Sequence, residues 1–321
     1  MKAAIVRELG RPPEWSDFED PIPLPGETIV TVAAAAVSQL ALSRSSGTHY
    51  SEPSIPPFIA GVDGVGHTPE GRRVYFQFPS APFGALAERV PVAKDELVSV
   101  PDTLDTAVAA AAAIPGMSCW VPLTTFARIP PGESVLVNGA TGASGRVAVQ
   151  VAKHLGARRV IATGRDESQL AELTELGADA VVSLGTAPDR LRETVRKLAH
   201  EAEIGVVLDY VWGPASETIL SALGGPDAPR GTSRVRYVQV GALASDRISL
   251  SAMLLRSSGV ELLGAGIGSS SAEALRSGIR SFLEAFAEAK MRISTEIRPA
   301  AEIARFWGTT GGARRLVFAI R

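Results

Sequence analysis

The sequence predicts an α/β fold: a doubly wound parallel sheet joined to a second, β-rich domain. Three observations predict it. A glycine-rich turn separates a β-branched run from an amphipathic stretch over residues 135–156. Short apolar runs alternate with helical stretches between residues 134 and 263, whereas the first hundred residues are proline-rich and broken into strand-like pieces. At 321 residues the chain can build two domains with separate cores.

The elements follow in order. Strand-like runs occupy residues 3–7, 27–35, 73–78 and 85–90, bounded by clusters such as Pro21-Ile-Pro-Leu-Pro-Gly26. Proline and glycine punctuating short apolar runs mark a β-rich domain. His67, between Gly66 and Thr68-Pro69, reads as part of a turn. From about Leu104 the texture becomes helical. Strands are then expected at 134–138, 160–163, 180–183, 206–209, 235–240 and 260–263, with helices such as 190–202 and 214–223 between them. Six strands with crossovers complete a dinucleotide-binding Rossmann sheet. A helix over 271–289 and a strand over 315–320 close the chain and are expected to return to the first domain. The expected division is 1–113 with 265–321, and 114–264.

The glycine turn, Asn138-Gly-Ala-Thr-Gly-Ala-Ser-Gly145, has the order a phosphate-binding βαβ unit needs. Gly139 permits a tight turn out of the strand. Gly142 lets the backbone approach a pyrophosphate, with Thr141 beside it, and Gly145 allows close packing of helix on sheet. The amides of Ala143 and Ser144 point to the phosphates from the helix N-terminus, where the dipole favours negative charge. The spacing is G-x-x-G-x-x-G, so the flanking strand and helix carry the inference.

Which dinucleotide binds is decided at the end of the second strand, Ala162-Thr-Gly164-Arg165. An acid there would bond the ribose 2′-hydroxyl of NAD. Here Arg165 can pair with a 2′-phosphate in charge-assisted bonds, with Ser168 and Gln169 adding hydrogen bonds. The competing reading leaves Arg165 solvated and gives the ribose to Asp166. NADPH is the expected coenzyme.

Composition bounds the rest. A formal net charge of −2 with 21% charged residues offers no broad attraction for nucleic acid or anionic membrane. No uninterrupted apolar run reaches about 18 residues, and the N-terminal residues lack the pattern of a signal peptide. The one cysteine, Cys119, excludes an internal disulfide or a thiolate zinc cluster. A cytoplasmic protein is expected.

Several segments, in this order and spacing, resemble the medium-chain dehydrogenase/reductase superfamily. They are Met1-Lys-Ala-Ala-Ile-Val6, Ile59-Ala-Gly-Val-Asp-Gly-Val-Gly66, Ile114-Pro-Gly-Met-Ser-Cys-Trp120, the glycine turn, Val207-Leu-Asp-Tyr-Val-Trp-Gly213 and Gly311-Gly-Ala-Arg-Arg-Leu-Val-Phe318. The chain is most similar to the zinc-free branch, the ζ-crystallin-type quinone oxidoreductases, whose fold pairs a GroES-like catalytic domain with the Rossmann domain. Zinc-dependent members carry a cysteine and Gly-His-Glu where this chain has Ser38 and Gly61-Val-Asp63, so no metal site is expected.

The resemblance implies further roles. Substrate would lie over the nicotinamide, with His49 or Tyr50 offering a proton or hydrogen bond to a carbonyl or quinone oxygen; a solvent-facing loop without chemistry is the bland alternative. Ser38 and Gln39 would face the nicotinamide ribose or cap a helix. Ser118, expected to open a helix, would touch the nicotinamide end. Tyr210 with Val211 and Trp212 would cover the adenine or enter the cleft, and Gly241 and Gly266 would bring backbone close to the ring. The expected reaction is hydride transfer to a quinone. An enal or enone reductase, acting on an α,β-unsaturated carbonyl, is the alternative, and a non-catalytic NADPH-binding protein a further one. Relatives are commonly homodimers that pair sheet edges, which makes residues 260–263 the candidate edge.

Overall fold

The computed structural model describes residues 1–49, 55–224, 234–309 and 313–320. By contacts the chain divides into two compact units, Met1–Ile114 with Ile279–Arg321, and Pro115–Gly278. The sequence reading put the second crossing at 264/265, after the last strand of the parallel sheet; contacts put it inside the following helix.

The first unit opens with β1 (Lys2–Val6), β2 (Glu14–Asp17), β3 (Glu27–Ala36) and α1 (Gln39–Ser45). It continues with β4 (Phe58–Ile59), β5 (Asp63–His67), β6 (Arg73–Gln77), β7 (Arg89–Ala93) and β8 (Val98–Ser99). Helix α2 (Thr106–Val121) leads to the second unit, which contains β9 (Ser134–Asn138), α3 (Ala143–His154), β10 (Val160–Gly164) and α4 (Glu167–Glu175). Next come β11 (Ala180–Ser183), α5 (Pro188–Ala202), β12 (Ile204–Asp209), α6 (Pro214–Leu223), β13 (Val235–Gln239), α7 (Ala252–Ser257) and β14 (Val260–Gly264). Helix α8 (Ala272–Glu288) leads back to β15 (Ser294–Pro299), α9 (Ile303–Phe306) and β16 (Arg314–Ala319) in the first unit.

In the first unit, β2-β1-β4 form a small antiparallel sheet and β15-β16-β3-β5-β6-β8 a larger mixed sheet, antiparallel except for the parallel pair β15-β16, with β7 paired to β3. Val30, Val32, Val74, Phe76, Leu86 and Phe318 are buried in its core. The last strand therefore does join this unit, through its pairing with β3.

Two strand expectations fail here for physical reasons. The turn assigned around His67 is the end of strand β5. Its glycines disguise it, yet they are what lets it pair: a Cβ on Gly66 would sit 2.3 Å from the Thr31 carbonyl oxygen, and one on Gly64 3.1 Å from that of Ala34. Glycine weakens strands in general, so it reads as a turn unless the close neighbour is known. The expected strand over 85–90 begins at Arg89 instead. Residues 84–88 change partners, with the Ala4 amide bonding the Leu86 carbonyl at 2.8 Å and the Glu88 amide the Lys2 carbonyl at 3.0 Å, before β7 pairs with β3.

The second unit has one parallel sheet in the order β11-β10-β9-β12-β13-β14. Its strands are rich in Val, Ile and Leu because both faces are covered; Leu136, Ile161, Val207, Ile219, Leu220 and Tyr237 lie in its core. The chain moves outward from β9 in one direction and then, from β12, in the other. The switch point thus lies at the carboxyl end of β9, where open α/β sheets leave a crevice.

Helix α2 is more apolar than the length of its uninterrupted runs suggests. Together with the π-helical turn after it, residues Thr106–Phe126 are long and apolar enough to cross a membrane by length and composition. Counting uninterrupted apolar residues missed this because Pro115 and Ser118 interrupt the run. With 72% of its apolar window buried inside the fold, α2 is a core helix.

The first unit also buries a carboxyl group. Asp63 on β5 is fully buried and accepts a hydrogen bond from the Tyr75 hydroxyl on β6 at 3.2 Å, near Arg315 of β16. Burial pushes its carboxyl up to about 7, against the opposing attraction of Arg315 and the Tyr75 bond. The native state therefore keeps this proton across pH 4–7, where the unfolded chain has released it. Stability from this group is present at low pH and declines as pH rises through that window, by at most about 1.4 kcal/mol per pH unit. Asp63→Asn should remove that component of the slope, which urea titrations at a series of pH values would measure.

Candidate functional site

The glycine turn lies at the switch point, between β9 and α3. Gly139 has φ of +85°, the left-handed region, and a Cβ there would meet Val211 at 2.7 Å. Gly145 packs its Cα face against the turn itself, its hypothetical Cβ 2.4 Å from the Ala140 Cα. Gly142 differs from both: it caps α3 without any side-chain bond, and nothing lies within 4 Å of where its Cβ would be. The amides of Ala143, Ser144 and Gly145 come before the first amide that has an intrahelical acceptor, so this end of α3 presents donors and positive potential over an open face. The Arg146 amide is the first to bond back, to the Gly142 carbonyl at 2.9 Å.

A buried polar network holds the turn. The Gly139 amide donates to Thr163 Oγ1 at 3.1 Å, and that hydroxyl donates to Asn138 Oδ1 at 2.6 Å. Asn138 in turn donates to Asp209 Oδ1 at 2.8 Å. The same carboxylate accepts from Ser216 at 2.5 Å, from the Tyr237 hydroxyl at 2.7 Å, and from the amides of Val211 and Trp212 at 2.9 and 3.1 Å. Burial and the neighbouring Asp209 raise the Tyr237 phenol well above its ordinary range, which keeps it a donor. The sequence marks Asp209 as a strand end and does not show Asn138, Ser216 and Tyr237 as its partners, nor Thr163 as the link from Asn138 to the Gly139 amide. The available signal is a polar residue at or next to the carboxyl end of an apolar strand, Asn138 on β9 and Thr163 on β10; Ser216, on α6, carries no such mark.

At the end of β10, Gly164 is buried and Arg165 exposed. Asp166 caps α4: its Oδ1 accepts from the Ser168 amide and hydroxyl at 3.0 and 2.6 Å and from the Gln169 amide at 3.3 Å, while Oδ2 accepts from Gln169 Nε2 at 2.9 Å. The Ser168 hydroxyl bond, foremost among these, holds the carboxyl below its ordinary range. Ser168 and Gln169, read from sequence as phosphate donors, are tied to Asp166.

Ser118 lies near the C-terminal end of α2 and does not open a helix, because the alanine-rich run carries the helix through Pro115. Its hydroxyl donates to the Pro115 carbonyl at 2.7 Å. The buried Tyr210 hydroxyl donates to the Ser118 carbonyl at 3.0 Å. Burial raises that phenol well above its ordinary range, and it raises the neighbouring Cys119 thiol too. Gly241 lies against Tyr210, where a Cβ would come 2.8 Å from its carbonyl oxygen. Trp212 packs on the core, its ring 6.4 Å from that of Tyr237. The Gly266 amide donates to Ser269 Oγ at 2.8 Å.

In the first unit, Ser38 is buried and caps α1, accepting from the Ala41 amide at 3.1 Å. His49 follows that helix, its amide bonded to the Ser43 carbonyl at 3.2 Å. Burial, and then the charge of Arg44, lower its imidazole below the ordinary value, so the ring is neutral at pH 7. Tyr50 lies outside the described residues.

The network makes Asp209→Ala strongly destabilising, since it leaves Asn138, Ser216, Tyr237 and two amides without their acceptor. A loss of about 3–5 kcal/mol in urea unfolding is expected.

Comparison with known proteins agrees with this architecture. Residues 143–283 match the family model described as zinc-binding dehydrogenase. The chain is 30% identical over 96% of its length, and 96% of the relative's, to the probable NADPH-dependent quinone reductase tdiC of Emericella nidulans. It is 32% identical over 53% of its length to human quinone oxidoreductase, covering 54% of that protein. Among solved structures, the quinone oxidoreductase of Thermus thermophilus, also determined in complex with NADPH, superposes over the whole of both chains with a TM-score of 0.78 at 28% identity. A glycine turn at the switch point of a six-stranded parallel sheet, a β-rich unit completed by the chain's return, and a full-length relative together place this chain in the medium-chain dehydrogenase/reductase superfamily, in its quinone-oxidoreductase type.

Proposed function

We propose that this protein is an NADPH-dependent reductase that delivers hydride to a quinone without zinc. One observation carries the coenzyme choice. Asp166, the acid that would bond a ribose 2′-hydroxyl, is engaged as the cap of α4, while Arg165 beside it is exposed. A 2′-phosphate at that place would meet a guanidinium. The names of the Emericella relative and the Thermus complex support the same coenzyme.

The chain's residues have distinct tasks in this reading. The first amides of α3 hold the pyrophosphate over the open face at Gly142. Arg165 pairs with the 2′-phosphate. Ser118, Tyr210, Gly241 and Gly266 border the nicotinamide end, as the family resemblance implies, and Tyr210 is locked there by its bond to Ser118. When bound, the coenzyme supplies the hydride. His49, as a neutral imidazole, offers an N–H to the acceptor oxygen, and Tyr50 shares that role; neither has to give up a full proton for a quinone to accept hydride.

Zinc does not fit the positions where zinc-dependent members of the superfamily carry its ligands. Ser38 is engaged as a helix cap, Val62 has no donor atom, and Asp63 is buried against Tyr75. A quinone is already electron-poor, so orientation and exclusion of water provide most of the catalysis. The protein pairs as a homodimer through β14, an edge strand of the parallel sheet that carries the exposed Leu262.

The first test is anaerobic NADPH consumption with an ortho-quinone and, in parallel, a 2-enal. Quinone-dependent turnover is expected; turnover of the enal alone would overturn the acceptor. Arg165→Gln should lower the preference for NADPH over NADH by about 10–100-fold, the value of a charge-assisted bond, and an equal loss with both coenzymes would refute its role. Gly142→Val should leave the melting temperature nearly unchanged while weakening NADPH binding at least about tenfold, a difference of about 1.4 kcal/mol.

A further inference from the structure

We infer that Arg146 is a positioning residue for the coenzyme, a brace that sets the distance between the pyrophosphate turn and the 2′-phosphate loop; this rests on the dinucleotide reading above. Arg146 lies in the first turn of α3, where a cation opposes the helix dipole, and it is nearly buried, its side chain 10% exposed. Both features are unfavourable alone. Its Nε donates to the Thr141 carbonyl at 3.0 Å, and its Nη1 pairs with Glu172 Oε2 at 2.8 Å.

Those partners belong to different halves of the site. Thr141 is part of the glycine turn. Glu172 is on α4, the helix whose N-terminus carries Arg165 and Asp166 immediately before it. The two halves also touch directly: a Cβ on Gly164 would fall 2.4 Å from Thr141 Cγ2, so Thr141 is held between the end of β10 and the Arg146 guanidinium. The start of the turn is anchored separately, by the Gly139 bond to Thr163. What the arginine adds is a fixed span from the end of the turn to α4.

A rigid span matters only to a ligand that reaches both ends. Binding at the second end of such a ligand is an intramolecular event whose strength depends on the separation being right. A fragment that reaches one end does not sense it. This separates positioning from a general structural role.

The experiment is calorimetric titration of NADPH and of adenosine 2′-monophosphate, which reaches only the Arg165 end, into wild type, R146Q, R146K, E172Q and the double variant R146Q/E172Q. R146Q should weaken NADPH about tenfold or more and leave the fragment within about twofold. E172Q should act in the same direction, and the double variant should be no worse than R146Q, because the pair works as one unit. R146K keeps a charge for Glu172 but not the fork that also reaches Thr141; it should show the same selective loss in smaller degree, and it carries the test if R146Q does not fold. Equal losses on both ligands, or no loss on NADPH, would overturn the inference while leaving the coenzyme reading intact. A wild-type protein that binds neither ligand would overturn the coenzyme reading and this inference with it.

Discussion

The carboxylate of Asp209 accepts hydrogen bonds from Asn138, Ser216, Tyr237 and the amides of Val211 and Trp212, all at the carboxyl edge of the parallel sheet. A buried anion is tolerable only when such donors replace its water. Here they come from β9, α6, β13 and the segment after β12, so satisfying one charge fixes four pieces of the chain. Through Asn138 and Thr163 the same network reaches the Gly139 amide. The conformation of the glycine turn thus depends on a residue 70 positions away, and the open end of α3 is aimed by it.

The two units use glycine for different physical reasons. In the turn, Gly139 supplies a left-handed backbone and Gly142 leaves a face open. In β5, Gly64 and Gly66 remove side chains that would collide with the carbonyls of β3. One signal in the sequence therefore marks an open-faced turn at a helix start in one place and close strand packing in another. The flanking strand and helix revealed the first. Nothing local revealed the second, and His67 was read as part of a turn.

The candidate site was legible in a similarly uneven way. Gly139, Gly142 and Gly145 act through local geometry: a left-handed backbone, an open face and close packing on Ala140. The exposed place of Arg165 directly after β10 follows from chain order alone. The capping of α4 by Asp166 was not found, although Asp-Glu-Ser-Gln at a helix start is itself a cap signal. Once Asp166 is a cap, Ser168 and Gln169 are its partners, and Arg165 is left as the exposed cation of that loop. Ser118 was misplaced because proline normally ends or begins a helix, and here the alanine-rich run continues through it.

Period and punctuation alone determined the alternation of strands and helices, the switch-point turn and the return of the last strand. These depend on interactions within a few residues, or on chain order, and a linear reading can recover them. The tertiary structure alone decided which polar groups meet: Asp209 with Tyr237, Asp63 with Tyr75, and Arg146 with Glu172. Partners far apart in the chain leave no periodic trace, and a buried charge looks the same in sequence as a solvated one. Its environment is made by the fold, because only packing sets the distance and the burial that give each charge its role.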